Sequence, residues 1–308
     1  MAQQTRLRIG TRASALARWQ AEWTARQLST AGIETELVLI TTEGDVKSGP
    51  IGKIGGQGLF TKRIQQALLA DEIDLAVHSL KDLPTDPVER LTLAVVPKRE
   101  SVNDVLVSNK HGSLNELPDG ALIGTGSLRR RAQLLHHRTD LKIADIRGNV
   151  DTRLRKLDDG QYDAIVLAQA GLTRLGLAER ITELIPAAIM LPAIGQGALG
   201  MECRDDDDQT INQIQTLNDN ETHCAVVAER SLLASLRGGC LAPIGAGCRV
   251  ENEKLLLEAV VLNADGTRRL NAQQSGALNE AASIGQQVAE RLLENGAADL
   301  ISAARQGK

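Results

Sequence analysis

The chain has 308 residues, of which 42% are hydrophobic and 24% charged, and a net charge of -4. These proportions are those of an ordinary soluble globular protein of two or three domains, and the mild acidity excludes a globally basic nucleic-acid binder. Only four aromatic residues occur, Trp19, Trp23, Phe60 and Tyr162, too few to form a stacking platform for single-stranded bases.

Leu7 to Gly10 reads as a short strand, and Ser14 to Ala31 as a helix that Ser14 caps. Leu37 to Thr41 is a second strand by its apolar, β-branched content. Thr42 to Gly58 holds six glycines and a proline, so regular structure is not expected there. A loop of that length in a compact domain is a functional lid or a disordered segment. Phe60, Ile64, Ala67 and Leu68 then form the stripe of an amphipathic helix. Leu75 to His78 and Leu91 to Val96 are short strands, and the alternation predicts a mainly parallel sheet with helices on both faces.

The pattern restarts with a strand at Leu122 to Gly126, a helix at Leu128 to Arg138 and a strand at Lys142 to Ile146. A helix at Val150 to Leu157 and a buried strand at Ala164 to Ala168 follow. The two starts share a turn, IGTRAS at Ile9 and IGTGS at Ile123, which fits two α/β domains of similar plan. Ile194 to Cys203 reads as a glycine loop and a strand that returns to the first domain. The last third changes character: a helix over Thr222 to Leu236, a strand over Lys254 to Asn263, a turn at Ala264 to Gly266, a returning strand over Thr267 to Ser275 and a closing helix over Asn279 to Asn295. A small α+β domain follows, entered through the loop RGGCLAPIG at Arg237 to Gly245.

No apolar run approaches the roughly 18 residues of a membrane helix, and the N-terminus has no signal-peptide pattern. Cys203, Cys224, Cys240 and Cys248 form no C-x-x-C pair. A zinc site or disulfide framework is therefore not expected, and a reduced, cytoplasmic protein is. Asp205 to Asp208 reads as a solvated loop, not a metal site.

Two βα turns look like anion sites, because helix N-termini present unpaired N–H groups with positive partial charge. One is Thr11-Arg12-Ala13-Ser14; the other runs from Gly124 through Thr125 and Ser127 to Arg131. Gly124-x-Gly126 lacks the third glycine of a dinucleotide fingerprint, since Arg129 holds that place. Arg12, Arg129, Arg130, Arg147 and Arg153 sit at or near such turns and read as ligand contacts, with Arg174 a further arginine downstream. Arg131, Arg138 and Arg155 read as helix-face charges. The planar guanidinium fork suits carboxylates two bonds at a time, so the ligand is read as a polycarboxylate. Asp82 follows the strand ending near Ser79, where it would stabilise a cation or move a proton; the plainer reading is that it organises the turn before Pro84. His78 reads as a packed strand residue. Cys240 by itself would be an inert thiol or a reactive one.

Eight motifs occur in order from Thr11 to Gly245: TRAS, GGQGLFTK, AVHSLKDLP, IGTGSLRR, RGNVDTRL, LAQAGLTRLG, LPAIGQGALG and GGCLAPIG. On these the chain resembles the hydroxymethylbilane synthase family, also called porphobilinogen deaminase. The resemblance implies an α/β fold of two type II periplasmic-binding-protein-like domains plus a small α+β C-terminal domain. Domain 1 would be residues 1-98 and 195-218, with the catalytic aspartate and the lid at Gly44 to Gly58. Domain 2 would be 99-194, rich in arginine, and domain 3 would be 219-308, bearing the cysteine loop.

The implied activity is that of a transferase of tetrapyrrole and heme biosynthesis. Four porphobilinogens are joined head to tail on a dipyrromethane primer, with loss of ammonia, and water releases linear hydroxymethylbilane. The resemblance makes Cys240 the thioether anchor of the dipyrromethane cofactor and Asp82 the catalytic aspartate. Lys81, Thr125, Ser127, Arg129, Arg130 and Arg147 match cofactor-binding positions; Arg12, Ser14, Arg153, Arg174 and Gln196 match substrate-binding ones. It further implies a monomer without nucleic-acid or membrane partners that passes its product to the next enzyme of the pathway. The chain departs from the family at Gln57, commonly lysine, at Gly126, usually serine, and at Leu241, usually glutamine. The alternative is a two-domain organic-anion binding protein, which has no use for a tethered cofactor or a third domain.

Overall fold

The computed structural model describes residues 6–41, 61–239 and 242–306. The segment from Gly44 to Gly58 with Gln57, together with Cys240 and Leu241, therefore lies outside the described residues. The strands are β1 (Leu7–Thr11), β2 (Thr35–Leu39), β3 (Leu75–Ser79), β4 (Leu91–Val95), β5 (Asp104–Val107), β6 (Leu122–Gly124), β7 (Lys142–Ala144), β8 (Ala164–Ala168), β9 (Glu183–Leu184), β10 (Leu199–Arg204), β11 (Ile244–Glu251), β12 (Lys254–Leu262) and β13 (Arg269–Ala277). The helices are α1 (Ala15–Thr30), α2 (Lys62–Leu69), α3 (Leu128–His137), α4 (Val150–Asp158), α5 (Gln169–Arg174), α6 (Asp208–Ile214), α7 (Asn220–Ser235), α8 (Ala281–Glu294) and α9 (Ala297–Gln306). The chain divides into two compact units, Met1–Arg99 with Ala198–His223, and Glu100–Gly197 with Cys224–Lys308.

The sheet of the first unit has the order β2-β1-β3-β10-β4. Leu7 and Ile9 of β1, Leu75 and Val77 of β3, and Met201 and Cys203 of β10 pack with Ala21 and Leu28 of α1. Ile64, Ala67 and Leu68 of α2 cover Ile73 and Ala76 in a separate cluster. Helices thus supply apolar stripes to the sheet, as the periodicity predicts. The sheet is mixed, however, and not mainly parallel. β1 runs parallel to β2 and β3, while β10 runs antiparallel to β3 and β4. An apolar run marks a strand but carries no direction; β10 comes back into this sheet from residues far along the chain, so no short parallel crossover dictates its sense. β2 also lies two residues earlier than expected, because its register with β1 runs from Leu7↔Thr35 to Thr11↔Leu39.

The second unit repeats this plan as β7-β6-β8-β5-β9. β6 is parallel to β7 and β8, and β5 is antiparallel to β8 and β9. The likeness of IGTRAS to IGTGS is therefore matched by the sheets that follow them. β5 and β9 were not anticipated: they are only four and two residues long. The same unit carries the antiparallel sheet β11-β12-β13, packed against α7, α8 and α9 through Leu232, Leu257, Ile284, Val288 and Ile301. β11 and α9 were also not foreseen. Gly266 closes the β12–β13 turn with a φ of +76, and a Cβ there would lie 2.5 Å from the Ala132 carbonyl oxygen. Both the left-handed backbone and the close approach call for glycine.

Among the described residues, no helix is long and apolar enough to cross a membrane. No group of three or more His, Cys, Asp or Glu side chains there could hold a metal ion. Within the acidic run, Asp207 caps α6 by accepting from the Thr210 amide at 3.0 Å and pairs with Arg204 at 2.9 Å.

Candidate functional site

In the first unit, β1 and β3 are parallel, so their C-terminal ends share one edge of the sheet. That edge brings Arg12 and Ser14, after β1, together with Lys81 and Asp82, after β3. Ser14 is the N-cap of α1: its side chain accepts from the Ala17 amide at 3.3 Å. Gln20 of α1 donates to the Ser79 hydroxyl at 2.7 Å, tying the helix to the end of β3. There the chain makes a 3₁₀ turn over Leu80–Asp82, closed by the Leu83 amide donating to the Leu80 carbonyl. Leu80 is buried, which anchors the turn, while Lys81 and Asp82 are exposed. His78 is a packed strand residue, with Nε2 3.0 Å from Glu202 Oε2 and both side chains buried.

In the second unit, the ends of β6, β7 and β8 likewise share one edge. Thr125 is fixed by donating its amide to the Ala144 carbonyl at 2.9 Å, and its hydroxyl accepts from the Ser127 amide at 3.2 Å. Ser127 caps α3 through the Arg130 amide at 3.4 Å. The first turn of α3 then carries Arg129 and Arg130, both buried. Their partner is Asp104, the fully buried first residue of β5. Arg129 Nη1 donates to Asp104 Oδ2 at 2.7 Å and to the Leu191 carbonyl at 2.6 Å. Arg130 donates to Asp104 Oδ1 from Nε at 3.0 Å and from Nη2 at 2.7 Å. Arg130 Nη1 reaches the Val166 carbonyl at 2.9 Å. Gln196 Nε2 donates to the Val102 carbonyl at 2.7 Å and to Asp104 Oδ1 at 2.9 Å.

The electrostatics of this cluster follow from its burial. Desolvation opposes the ionisation of Asp104, but the two guanidiniums outweigh it and hold the carboxyl well below the usual range. Burial pushes Arg129 down; Arg130 adds to that push and Asp104 opposes it. Two guanidiniums against one carboxylate leave the cluster one positive charge in excess. Arg129 Nε is buried and has no hydrogen-bond partner among the described residues. A buried donor without a partner and a surplus cation both ask for another anion.

Arg147, after β7, lies half-buried with Nη2 3.3 Å from Asp145. Arg153, on α4, donates Nε to the Gly148 carbonyl at 2.7 Å. Arg174, at the end of α5, donates to the Gly197 carbonyl at 2.7 Å; burial pushes it down to about 10, against the pull of Glu100. Arg131 and Arg155 are exposed. Arg138 pairs with Asp140 at 2.6 Å and donates to the Leu114 and Leu117 carbonyls. Gly126 is exposed, and a Cβ there would lie 3.2 Å from the Ile146 carbonyl oxygen, a tight fit for any side chain.

The described residues on either side of Cys240 and Leu241 are fixed by hydrogen bonds. The Gly238 amide donates to the Leu233 carbonyl at 3.0 Å, and the Ala242 amide to the Gly239 carbonyl at 2.9 Å. A Cβ on Gly238 would lie 2.5 Å from Ile244 Cδ1 and 2.7 Å from Leu233 Cδ1. By contrast, the Cys203 thiol is buried in β10, and that burial pushes it up to about 12, so it is no nucleophile near neutral pH. Asp104 is the residue that sequence reasoning missed. Its only signal is an acid placed directly before the apolar run Val105-Leu106-Val107.

The two five-stranded sheets, alike in order and direction and each with βα turns at one edge, define an α/β protein of two like-built sheets with an added three-stranded antiparallel sheet. A family model described as porphobilinogen deaminase, dipyromethane cofactor binding domain, matches residues 7–212, and one described as porphobilinogen deaminase, C-terminal domain, matches 223–294. The porphobilinogen deaminase of Desulforudis audaxviator is 49% identical over 302 residues, covering 97% of this chain and 98% of that protein. That of Syntrophotalea carbinolica is 49% identical over 300 residues, covering 96% and 95%. The solved structure of the methionine-binding protein MetQ is similar at 17% identity and a TM-score of 0.46, covering 71% of this chain and 92% of that one. The chain belongs to the porphobilinogen deaminase family.

Proposed function

We propose that the chain is a transferase that joins four porphobilinogens head to tail, losing ammonia at each step, and releases linear hydroxymethylbilane by hydrolysis. Family membership supports the reaction. The observation that carries it to particular residues is the buried Arg129–Arg130–Asp104 cluster, one positive charge in excess, with a donor on Arg129 that has no partner among the described residues. Each pyrrole unit bears an acetate and a propionate, so the growing chain adds two carboxylates per step and needs guanidinium partners in number. The donor set therefore fits dipyrromethane as the cofactor. Bound as a thioether to Cys240, that group would supply the pyrrole carbon on which the polymer is built.

This chain's own residues would share the work. Lys81, Thr125, Ser127, Arg129, Arg130 and Arg147 hold cofactor carboxylates, and Arg12, Ser14, Arg153 and Arg174 hold those of the substrate; Gln196, assigned to the substrate as well, gives both amide hydrogens to Val102 and Asp104 and so serves that site through Asp104. Asp82, exposed at a strand end, steadies the cation left on the pyrrole when ammonia departs. The three-part division at 1-98 with 195-218, 99-194 and 219-308 belongs to the same reading, as does a cytoplasmic monomer that hands its product to the next tetrapyrrole enzyme.

Intact mass spectrometry of freshly purified protein tests the proposal, with Ehrlich's reagent as a colour test for bound pyrroles. The expected mass exceeds that of the bare chain by one dipyrromethane, and Cys240→Ser lacks both the added mass and the activity. Active protein with an unmodified Cys240 overturns the reading; protein that binds organic anions, carries no added mass and shows no turnover is instead the organic-anion binding protein of the alternative.

A further inference from the structure

Asp104 sits on a rigid element. It opens β5, where Val105, Leu106 and Val107 are buried, and it stands opposite Ala168 in the pairing with β8. Its carboxylate takes four donors: one from Arg129, two from Arg130 and one from Gln196. Three of the residues assigned to cofactor or substrate therefore share one buried anchor. We infer that Asp104 is a positioning residue for this anion site, an inference that rests on the proposed function and deepens it.

Asp104 acts through its partners and in two ways. The first is geometric. Arg130 spends Nε and Nη2 on Oδ1 and Nη1 on the Val166 carbonyl, so its fork is fixed from three donors. Among the described residues Arg129 is held only at Nη1, by Oδ2 and the Leu191 carbonyl, and its Nε edge keeps hydrogen-bonding capacity. The second is electrostatic. Asp104 offsets one of two buried guanidiniums that would otherwise repel each other in a low dielectric. The cluster is thereby set at a single positive charge and matches one further carboxylate.

The test uses the full chain, expressed and purified with whatever cofactor it acquires. Asp104→Asn keeps the shape of the side chain, removes its charge and turns one acceptor into a donor facing a guanidinium. The expected result is a KM for porphobilinogen raised about tenfold or more, with a smaller change in kcat, and a lower fraction of chains carrying the dipyrromethane mass. An ion pair with no part in positioning would lower the melting temperature and leave the KM of the folded fraction unchanged; that outcome overturns the inference. If Asp104→Asn does not fold, Arg130→Met is compared with the double variant Asp104→Asn/Arg130→Met, which returns the buried charge to its wild-type value. A higher KM in the double variant than in Arg130→Met supports positioning of Arg129 by Asp104; equal values overturn it. Wild-type protein that carries no pyrrole and consumes no porphobilinogen overturns the proposed function and this inference with it. A competent wild type beside an Asp104→Asn variant of unchanged KM overturns this inference alone.

Discussion

The turns Gly10–Ser14 and Gly124–Ser127 use one backbone device for two electrostatic ends. Each follows a strand that runs parallel to both of its neighbours, and each ends on a serine that caps the next helix. In each the strand-end glycine is crowded: a Cβ would lie 2.3 Å from Ile73 Cδ1 at Gly10 and 2.9 Å from Tyr162 Cδ1 at Gly124. What differs is the charge and where it is kept. The first edge presents Lys81 and Asp82 exposed, with Arg12 half-buried. The second buries two arginines over a carboxylate supplied by another strand. An exposed acid can meet a transient cation and let it go. A buried, pre-set cation binds a carboxylate without first shedding water, and is suited to holding.

Substitutions at either edge test this difference. The largest effect is expected at the exposed edge. Asp82→Ala should keep the fold, since the side chain is exposed, and lower turnover by about 10²-fold or more. Product formation measured beside the melting temperature checks this; near-wild-type turnover would remove the proposed role. At the buried edge the contrast should appear in acid. Asp104 has a folded-state pKa depressed below its unfolded value, so its stabilising contribution is fully present above about pH 4. Below that the unfolded chain takes up the proton first, and stability falls with pH. Urea midpoints between pH 5 and pH 2 should therefore decline more steeply for the wild type than for Asp104→Asn.

Smaller effects concern packing and caps. Gly266→Ala should cost about 1–3 kcal/mol, because a Cβ would meet the Ala132 carbonyl and the backbone is left-handed. Ser14→Ala and Ser127→Ala should each cost about 1 kcal/mol in urea unfolding, through the loss of a helix cap. A much larger loss at Ser127 than at Ser14 would show that the cap also supports the buried cluster beside it.

Most helices and most strands, though not the eight-residue β11, were legible in the sequence, because apolar periodicity and capping residues are local properties. Ser14 and Ser127 fall at helix starts, and Ala164 to Ala168 is a strand as its composition predicts. The arginines at the βα turns, Asp82 and the glycines before Cys240 could be singled out as candidates for the same reason: residue type and spacing are written in the chain. Tertiary structure alone decided the antiparallel sense of β10 and β5, since a hydrophobic run has no direction until it pairs. It also decided that Asp104 lies under Arg129 and Arg130, some 25 residues away in sequence. Burial and charge pairing across that distance arise only when separate strands are brought into one sheet, and that is why the site's counter-ion could not be read from its motif.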